Sequence, residues 1–225
     1  AGIMQFMDPN IEADDFIGSL SRQFEAYTPV YIYTKDQDNL QLVSDRTRVW
    51  LITNKAEDYK KIYGKPNGFV PNGAFEFTPL LVKEVYGLNP EQIVDKKALE
   101  GDPSDNIPGV RGIGEKAAVP LLQEYGTVEG IYEALEDEKH FKDICKALGV
   151  RAPIKALIEG REMAYLSKTL ATIKISKLPV SLEELKLQID RYALDQKFRE
   201  LEFTSLISTP AQQRKPEIQV QEALF

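Results

Sequence analysis

The apolar residues of this chain change their period along its length, and each change marks an element. In residues 11–20 the apolar positions Ala13, Phe16, Ile17 and Leu20 recur at helical spacing, which predicts an amphipathic helix. Val30-Tyr31-Ile32-Tyr33-Thr34 is nearly continuous in β-forming residues, the pattern of a buried strand. Residues 48–53 predict a second strand. Residues 54–77 carry Lys-Pro-Asn-Gly and Pro-Asn-Gly turns and read as a loop or hairpin region without chemistry of its own.

Beyond residue 77 the pattern turns helical. Thr78-Pro79 opens a helix that runs to Tyr86 and stops at Gly87, and Asn89-Pro90 repeats the start signal for one running to about Leu99. A further helix spans about 115–125 and ends at Gly126, and Thr127 caps another to about Leu135. Residues 136–177 are mixed in charge and read as helical. Ser181-Leu182-Glu183-Glu184 is a capping-box pattern, and residues 192–201 form a last amphipathic stretch. From residue 208 the chain becomes polar and aperiodic, a linker or tail. The expected organisation is therefore 1–77 as α/β core, 78–207 as a helical region and 208–225 as tail.

Composition narrows the class. Over 225 residues, 43% are hydrophobic, enough for a real core and against global disorder. The single cysteine, Cys145, cannot close an internal disulfide, which favours a cytoplasmic setting. No apolar run approaches the roughly 18 residues needed to span a bilayer, so no membrane partner is expected. The net charge of −7 argues against a simple nucleic-acid binder, which would ordinarily be basic. That objection weakens if some of the acids serve a metal site and the basic residues cluster where a polyanion docks.

The candidate chemistry centres on residues 101–116. Asp102 and Asp105 stand three residues apart and offer hard oxygen ligands for a divalent cation. The turn Val110-Arg111-Gly112-Ile113-Gly114-Glu115-Lys116 follows and opens a helix, whose free N–H groups and dipole favour a phosphate. A Gly-x-Gly before a helix is often only tight packing. Between two short helices it looks like a helix-hairpin-helix element, holding a nucleic-acid backbone through Arg111, Gly112, Ile113, Gly114 and Lys116 without reading bases. Lys96 and Lys97 are nearby candidates for the same contact, although surface lysines are ordinarily only solvated.

Two more acidic groups join the candidates. Glu12, Asp14 and Asp15 begin the first helix, where acids can merely complement the dipole. Asp36 and Asp38 follow the first strand at its C-terminal end, the end of an open α/β sheet where ligands bind. If the fold brings all three groups together, seven carboxylates share one site. Their mutual repulsion would then demand cations, and two Mg²⁺ or Mn²⁺ ions would also serve an in-line phosphodiester displacement.

A family resemblance rests on these residues. The run Tyr86-Gly87-Leu88-Asn89-Pro90-Glu91-Gln92-Ile93-Val94-Asp95, the run Gly101-Asp102-Pro103-Ser104-Asp105-Asn106-Ile107-Pro108-Gly109 and the run Gly112-Ile113-Gly114-Glu115-Lys116-Ala117-Ala118 closely resemble the 5′-nuclease domain of bacterial DNA polymerase I, within the flap endonuclease family. Glu12-Ala13-Asp14-Asp15 is similar to its E-A-D-D motif, and Thr34-Lys35-Asp36-Gln37-Asp38 to its T-x-D-x-D motif. The similarity runs from about residue 2 to residue 207.

The resemblance implies a parallel-sheet α/β core with a helix-3-turn-helix DNA-binding segment. It implies two divalent metals, a K⁺ ion on the carbonyls of the hairpin turn, and cleavage of 5′ flaps and 5′ ends in replication and repair. Asp36, Asp38, Asp102 and Asp105 become the expected catalytic acids, with Glu12, Asp14 and Asp15 completing the metal site. The expected partners are flapped, nicked or branched duplex DNA and covalently linked polymerase domains. Two departures stand out. The family's N-terminal portion, with its first strand, further acids and basic arch, is missing, so the expectation is a truncated domain. Pro120 also falls inside the helix after the hairpin. The alternative is a DNA-binding module without turnover.

Overall fold

The computed structural model describes residues 2–66 and 68–207, so the expected tail at 208–225 lies outside the described residues. The chain runs α1 (Ala13–Phe24), β1 (Val30–Thr34), β2 (Thr47–Ile52), α2 (Ala56–Tyr63) and β3 (Ala74–Phe77). It continues through α3 (Pro79–Tyr86), α4 (Ile93–Glu100), α5 (Glu115–Tyr125), α6 (Val128–Ala134) and α7 (Glu138–Ala147). Then come α8 (Ile154–Glu159), α9 (Arg161–Ala171) and α10 (Arg191–Glu200). A 3-10 turn, Gln37–Leu42, follows β1.

Among the described residues the sheet has three strands in the order β1-β2-β3. β1 and β2 are parallel, with Ile32 beside Val49, and β3 returns antiparallel with Leu51 beside Phe75. The sheet is thus mixed. The region 54–77, read from its turns as loop, in fact holds α2 and β3. Ala74, Phe75 and Phe77 are buried there, and Tyr59 of α2 packs on both phenylalanine rings at 5.2 and 6.0 Å. Burying a Phe side chain contributes about 2–3 kcal/mol, enough to hold a four-residue strand that has little sequence signature. β1 departs from its sequence reading as well. Among the described residues it is an edge strand, with Ile32 buried and Tyr33 54% exposed. A tyrosine ring tolerates this half-wet position, which a continuous apolar pattern hides.

Two large cores, with a small third cluster, organise the described residues. One joins the sheet to α3 through Ile32, Val49, Phe75, Phe77, Val82 and Ile93. The other is helical and gathers Leu99, Val110, Ile113, Leu121, Phe141 and Leu157. The caps read from the sequence form as expected. The Thr78 side chain accepts from the Leu81 N–H, the Thr127 side chain accepts from the Gly130 N–H, and Gly87 closes α3 in the left-handed region. At Ser181 the capping-box hydrogen bonds to Glu184 form, yet they close a turn and no helix follows. Pro120 lies in the second turn of a continuous α5.

Helix α1 carries buried Phe24 on the same face as half-buried Phe16, Ile17 and Leu20, with Ala13 exposed, and it also buries Gly18, Ser19 and Ser21. The reason is a strap formed by residues 173–180, which runs back along the helix. Ser19 accepts from the Ser176 N–H and Gln23 bonds the backbone of Leu178 and Val180. A Cβ on Gly18 would stand 2.6 Å from Ile173 Cγ2 and 2.8 Å from Ile175 Cδ1, so any side chain there would have to displace these strap residues.

Candidate metal centre and phosphate turn

The loop after α4 presents Asp102 and Asp105. Asp102 and Ile107 exchange backbone hydrogen bonds in both directions at 2.9 Å, closing a six-residue loop. Asn106 takes φ 56°, a conformation Asn tolerates better than most residues, and Ile107 buries beside Val94 and Ala171. The loop is held against the turn that follows by a glycine pair. A Cβ on Gly109, at φ 62°, would lie 2.2 Å from the Gly101 nitrogen. The Gly109 N–H also donates to buried Ser167 Oγ of α9.

Asp38 arrives from the 3-10 turn after β1. One oxygen each of Asp38, Asp102 and Asp105 falls within 4.8 Å of the others. Lys97, in the last turn of α4, puts its ammonium between them. It hydrogen-bonds Asp38, meets Asp102 Oδ2 at 2.6 Å and stands 3.7 Å from Asp105 Oδ2. Burial raises the Asp102 carboxyl, but hydrogen bonds from Lys97 and Ser104 outweigh it and hold its pKa down at about 2. The donor set suits a divalent cation on its own evidence, being all oxygen, anionic and convergent.

The other four predicted acids are placed around this cluster or away from it. The Asp36 side chain accepts from the Asp38 N–H and so fixes that residue's backbone. Asp14 accepts from Nδ2 of buried Asn39, the neighbour of Asp38. Asp15 accepts from the Lys174 N–H and thereby anchors the strap. Glu12 is exposed at the N-cap of α1 and makes no capping bond.

Lys97 is the residue that sequence reasoning passed over. Its neighbour Lys96 pairs with Glu100 one turn on, as a surface lysine would. The available signal was the spacing of Lys97 from Asp102 across a helix end.

The glycine turn sits directly beyond. Val110 and Ile113 bury their side chains in the helical core, and the Ile113 N–H bonds the Val110 carbonyl. Ile113 thus anchors the turn from inside. Arg111, Gly112, Gly114 and Lys116 face outward, and nothing lies within 4 Å of where a Cβ on either glycine would stand. A phosphate can therefore approach this backbone closely, and Gly114 as N-cap leads straight into the first-turn donors of α5.

A convergent carboxylate cluster and an open helix start thus lie at the two ends of one tight loop. The model described as 5′-3′ exonuclease, N-terminal resolvase-like domain, matches residues 1–67, and that of the 5′-3′ exonuclease, C-terminal SAM fold, matches residues 88–193. The chain belongs to the 5′-3′ exonuclease family.

Among curated relatives, DNA polymerase I of Lactococcus lactis is 37% identical over 214 residues, covering 92% of this chain and 21% of that protein. A 5′-3′ exonuclease of Halalkalibacterium halodurans is 39% identical over 175 residues, covering 76% of this chain and 49% of that protein. The chain therefore spans about a fifth of the polymerases and half of the exonuclease. Zinc-bound T5 5′-exonuclease superposes with a TM-score of 0.54 at 23% identity, over 74% of this chain and 51% of that one. A complex of the bacteriophage T5 flap endonuclease with DNA and metal ions gives 0.53 at 22%, with the same coverage. These likenesses establish the fold. Among the described residues no helix is long and apolar enough to cross a membrane.

Proposed function

We propose that this chain hydrolyses phosphodiester bonds at 5′ ends and 5′ flaps of DNA, as a 5′-3′ exonuclease and flap endonuclease. The observation that carries the reading is the convergence of Asp38, Asp102 and Asp105 on one point, one loop away from the open glycine turn. Two Mg²⁺ or Mn²⁺ ions bound at the acids would supply an activated water and offset charge on the leaving oxygen. Asp38, Asp102 and Asp105 hold them, Asp36 and Asp14 keep Asp38 and Asn39 in place, and Lys97 carries the counter-charge among the carboxylates. Arg111, Gly112, Gly114 and Lys116 grip the duplex backbone, with a K⁺ ion on the carbonyls of that turn. The proposed partners are flapped, nicked or branched DNA and linked polymerase domains, in the cytoplasm.

The test is cleavage of a labelled 5′-flap duplex with Mg²⁺ or Mn²⁺, beside binding of the same DNA in Ca²⁺. Cleavage should fall by about 10²–10³ in Asp102→Asn, the scale set by removing one charge-stabilising group. Binding without any cleavage by the wild type would make the chain a DNA-binding module instead.

A further inference from the structure

The three acid-bearing segments are far apart in the chain, and one short stretch touches all of them. Residues 171–174, where α9 ends and the strap begins, meet the Asp38 turn, helix α1 and the Asp102–Asp105 loop. From the 3-10 turn that carries Asp38, Gln41 Nε2 donates to the Ala171 carbonyl and Gln41 Oε1 accepts from the Ile173 N–H, both at 3.0 Å. The Lys174 N–H donates to Asp15 of α1 at 2.8 Å. Ala171 is itself buried in one cluster with Ile107, the residue whose backbone closes the Asp102 loop.

The amide of half-buried Gln41 acts here as a peptide group would, using its donor and its acceptor together to hold two backbone groups. In a 3-10 helix, side chains three residues apart eclipse, and Asp38 and Gln41 are so spaced in the turn Gln37–Leu42. A clamp on Gln41 therefore also fixes the direction of Asp38. Leu40 and Leu42 hold the turn to the sheet core, while Gln41 joins it to α9, the helix whose Ser167 holds Gly109 behind the other two acids. A second clamp of the same kind lies further along the strap. Gln23 Nε2 donates to the Leu178 and Val180 carbonyls at 3.2 and 2.9 Å, and its Oε1 accepts from the Leu178 N–H at 2.9 Å. Gln23 stands about 12 Å of helix beyond Asp15, away from the acids.

We propose that Gln41 is a positioning residue of the metal centre: by tying the Asp38 turn to the end of α9, it sets Asp38 against Asp102 and Asp105 where one divalent cation can meet all three. The inference rests on the nuclease reading above and adds to it a residue that acts only through Asp38. Of the three converging acids, Asp38 alone is delivered from a distant part of the chain. Asp36 fixes it within its own turn, and Gln41 fixes that turn to the element behind the other two. Residues that orient metal ligands in this way are worth about 10–100-fold in metal affinity.

The experiment titrates Mg²⁺ into the full chain without DNA, by calorimetry, and follows the rise in melting temperature that Mg²⁺ brings. Gln41→Leu should bind Mg²⁺ about tenfold more weakly and show a smaller rise than the wild type. Gln23→Leu is the control for loss of strap attachment alone. Both variants should lower the melting temperature in EDTA by roughly 3–6 °C, yet Gln23→Leu should keep the wild-type Mg²⁺ affinity within about twofold. Gln41→Asn, one methylene too short to reach both backbone groups, should weaken Mg²⁺ by about threefold and carries the test if Gln41→Leu does not fold. Unchanged Mg²⁺ affinity in the Gln41 variants, or an equal loss in Gln23→Leu, overturns the positioning role and leaves the nuclease reading intact. No Mg²⁺ binding by the wild type overturns both.

Discussion

The acidic centre and the basic cleft lie a few residues apart and treat charge in opposite ways. Asp38, Asp102 and Asp105 come with an internal counter-ion, because Lys97 reaches all three. Among the described residues Arg111, Lys116 and Arg151, which line the cleft at the glycine turn, come with none. Like charges held close must be relieved by something. Inside the fold that something is a lysine, which keeps the carboxylates in register without an ion. Around the cleft no such counter-ion reaches Arg111, Lys116 or Arg151 among the described residues.

The strongest way to break this comparison is at the joint between the regions. Gly109→Ala puts a methyl into the Gly101 backbone at a positive φ, which should cost about 3 kcal/mol or more and lower the melting temperature by roughly 10 °C. Cleavage and DNA binding should fall together. Gly112→Ala meets nothing and costs only about 1 kcal/mol for its left-handed backbone, so it should weaken binding while the acid cluster stays intact. Equal damage from the two variants, read by melting and by anisotropy, would mean the regions are not separately built.

Next in size is the counter-ion itself. Lys97→Met leaves three carboxylates facing one another, and about 2 kcal/mol of stability should be lost in EDTA. Removing a cation a few ångströms from the metal position should also tighten Mg²⁺ by about tenfold or more, seen as a larger rise in melting temperature on Mg²⁺ addition. Weaker Mg²⁺ binding would show that Lys97 positions the acids and does not compete with the ion.

The sequence spoke clearly wherever a structure is set by local bonds. Thr78-Pro79, Thr127, Gly87 and Gly126 mark helix ends because their caps need only nearby donors and acceptors. β3 was hidden because four residues between turns gain their stability from Phe75 and Phe77 meeting α2, a tertiary fact. The Ser181 pattern made its bonds and still gave no helix, since a cap cannot supply a buried face. In the site, the pair Asp102 and Asp105 was legible from spacing, while the arrival of Asp38 depends on the 3-10 turn after β1. Asp15 reads as one of the acids of the metal site, and nothing in the sequence signals that it also accepts from the Lys174 N–H of the 173–180 strap. Which of Lys96 and Lys97 faces the acids is a matter of helix phase that two adjacent lysines do not reveal. Arg151 fell in a stretch whose only sequence signature was mixed charge.

A third charge arrangement gives the smallest but sharpest test. Lys168 of α9 meets Asp95 of α4 at 2.7 Å and Glu129 of α6 at 2.6 Å, so it is a cation fully partnered by the fold. If partnering separates structural cations from ligand-binding ones, Lys168→Met should cost about 1 kcal/mol of stability and leave the salt slope of DNA binding unchanged. Its pH dependence follows from the shifts. Burial raises the Glu129 carboxyl but Lys168 pulls it below its usual 4.5, so that stabilisation is present above about pH 4.5 and is lost as pH falls through the lowered value. Burial lowers the Lys168 ammonium but Asp95 and Glu129 push it above its usual 10.5, so its part is present below pH 10.5 and fades as pH rises through the raised value. The stability gap between wild type and Lys168→Met should therefore be widest across the neutral range and close at both ends, in denaturant titrations from acid to alkali. A gap that stays constant with pH would assign the loss to packing of the lysine stem, and a shallower salt slope would place Lys168 among the DNA contacts.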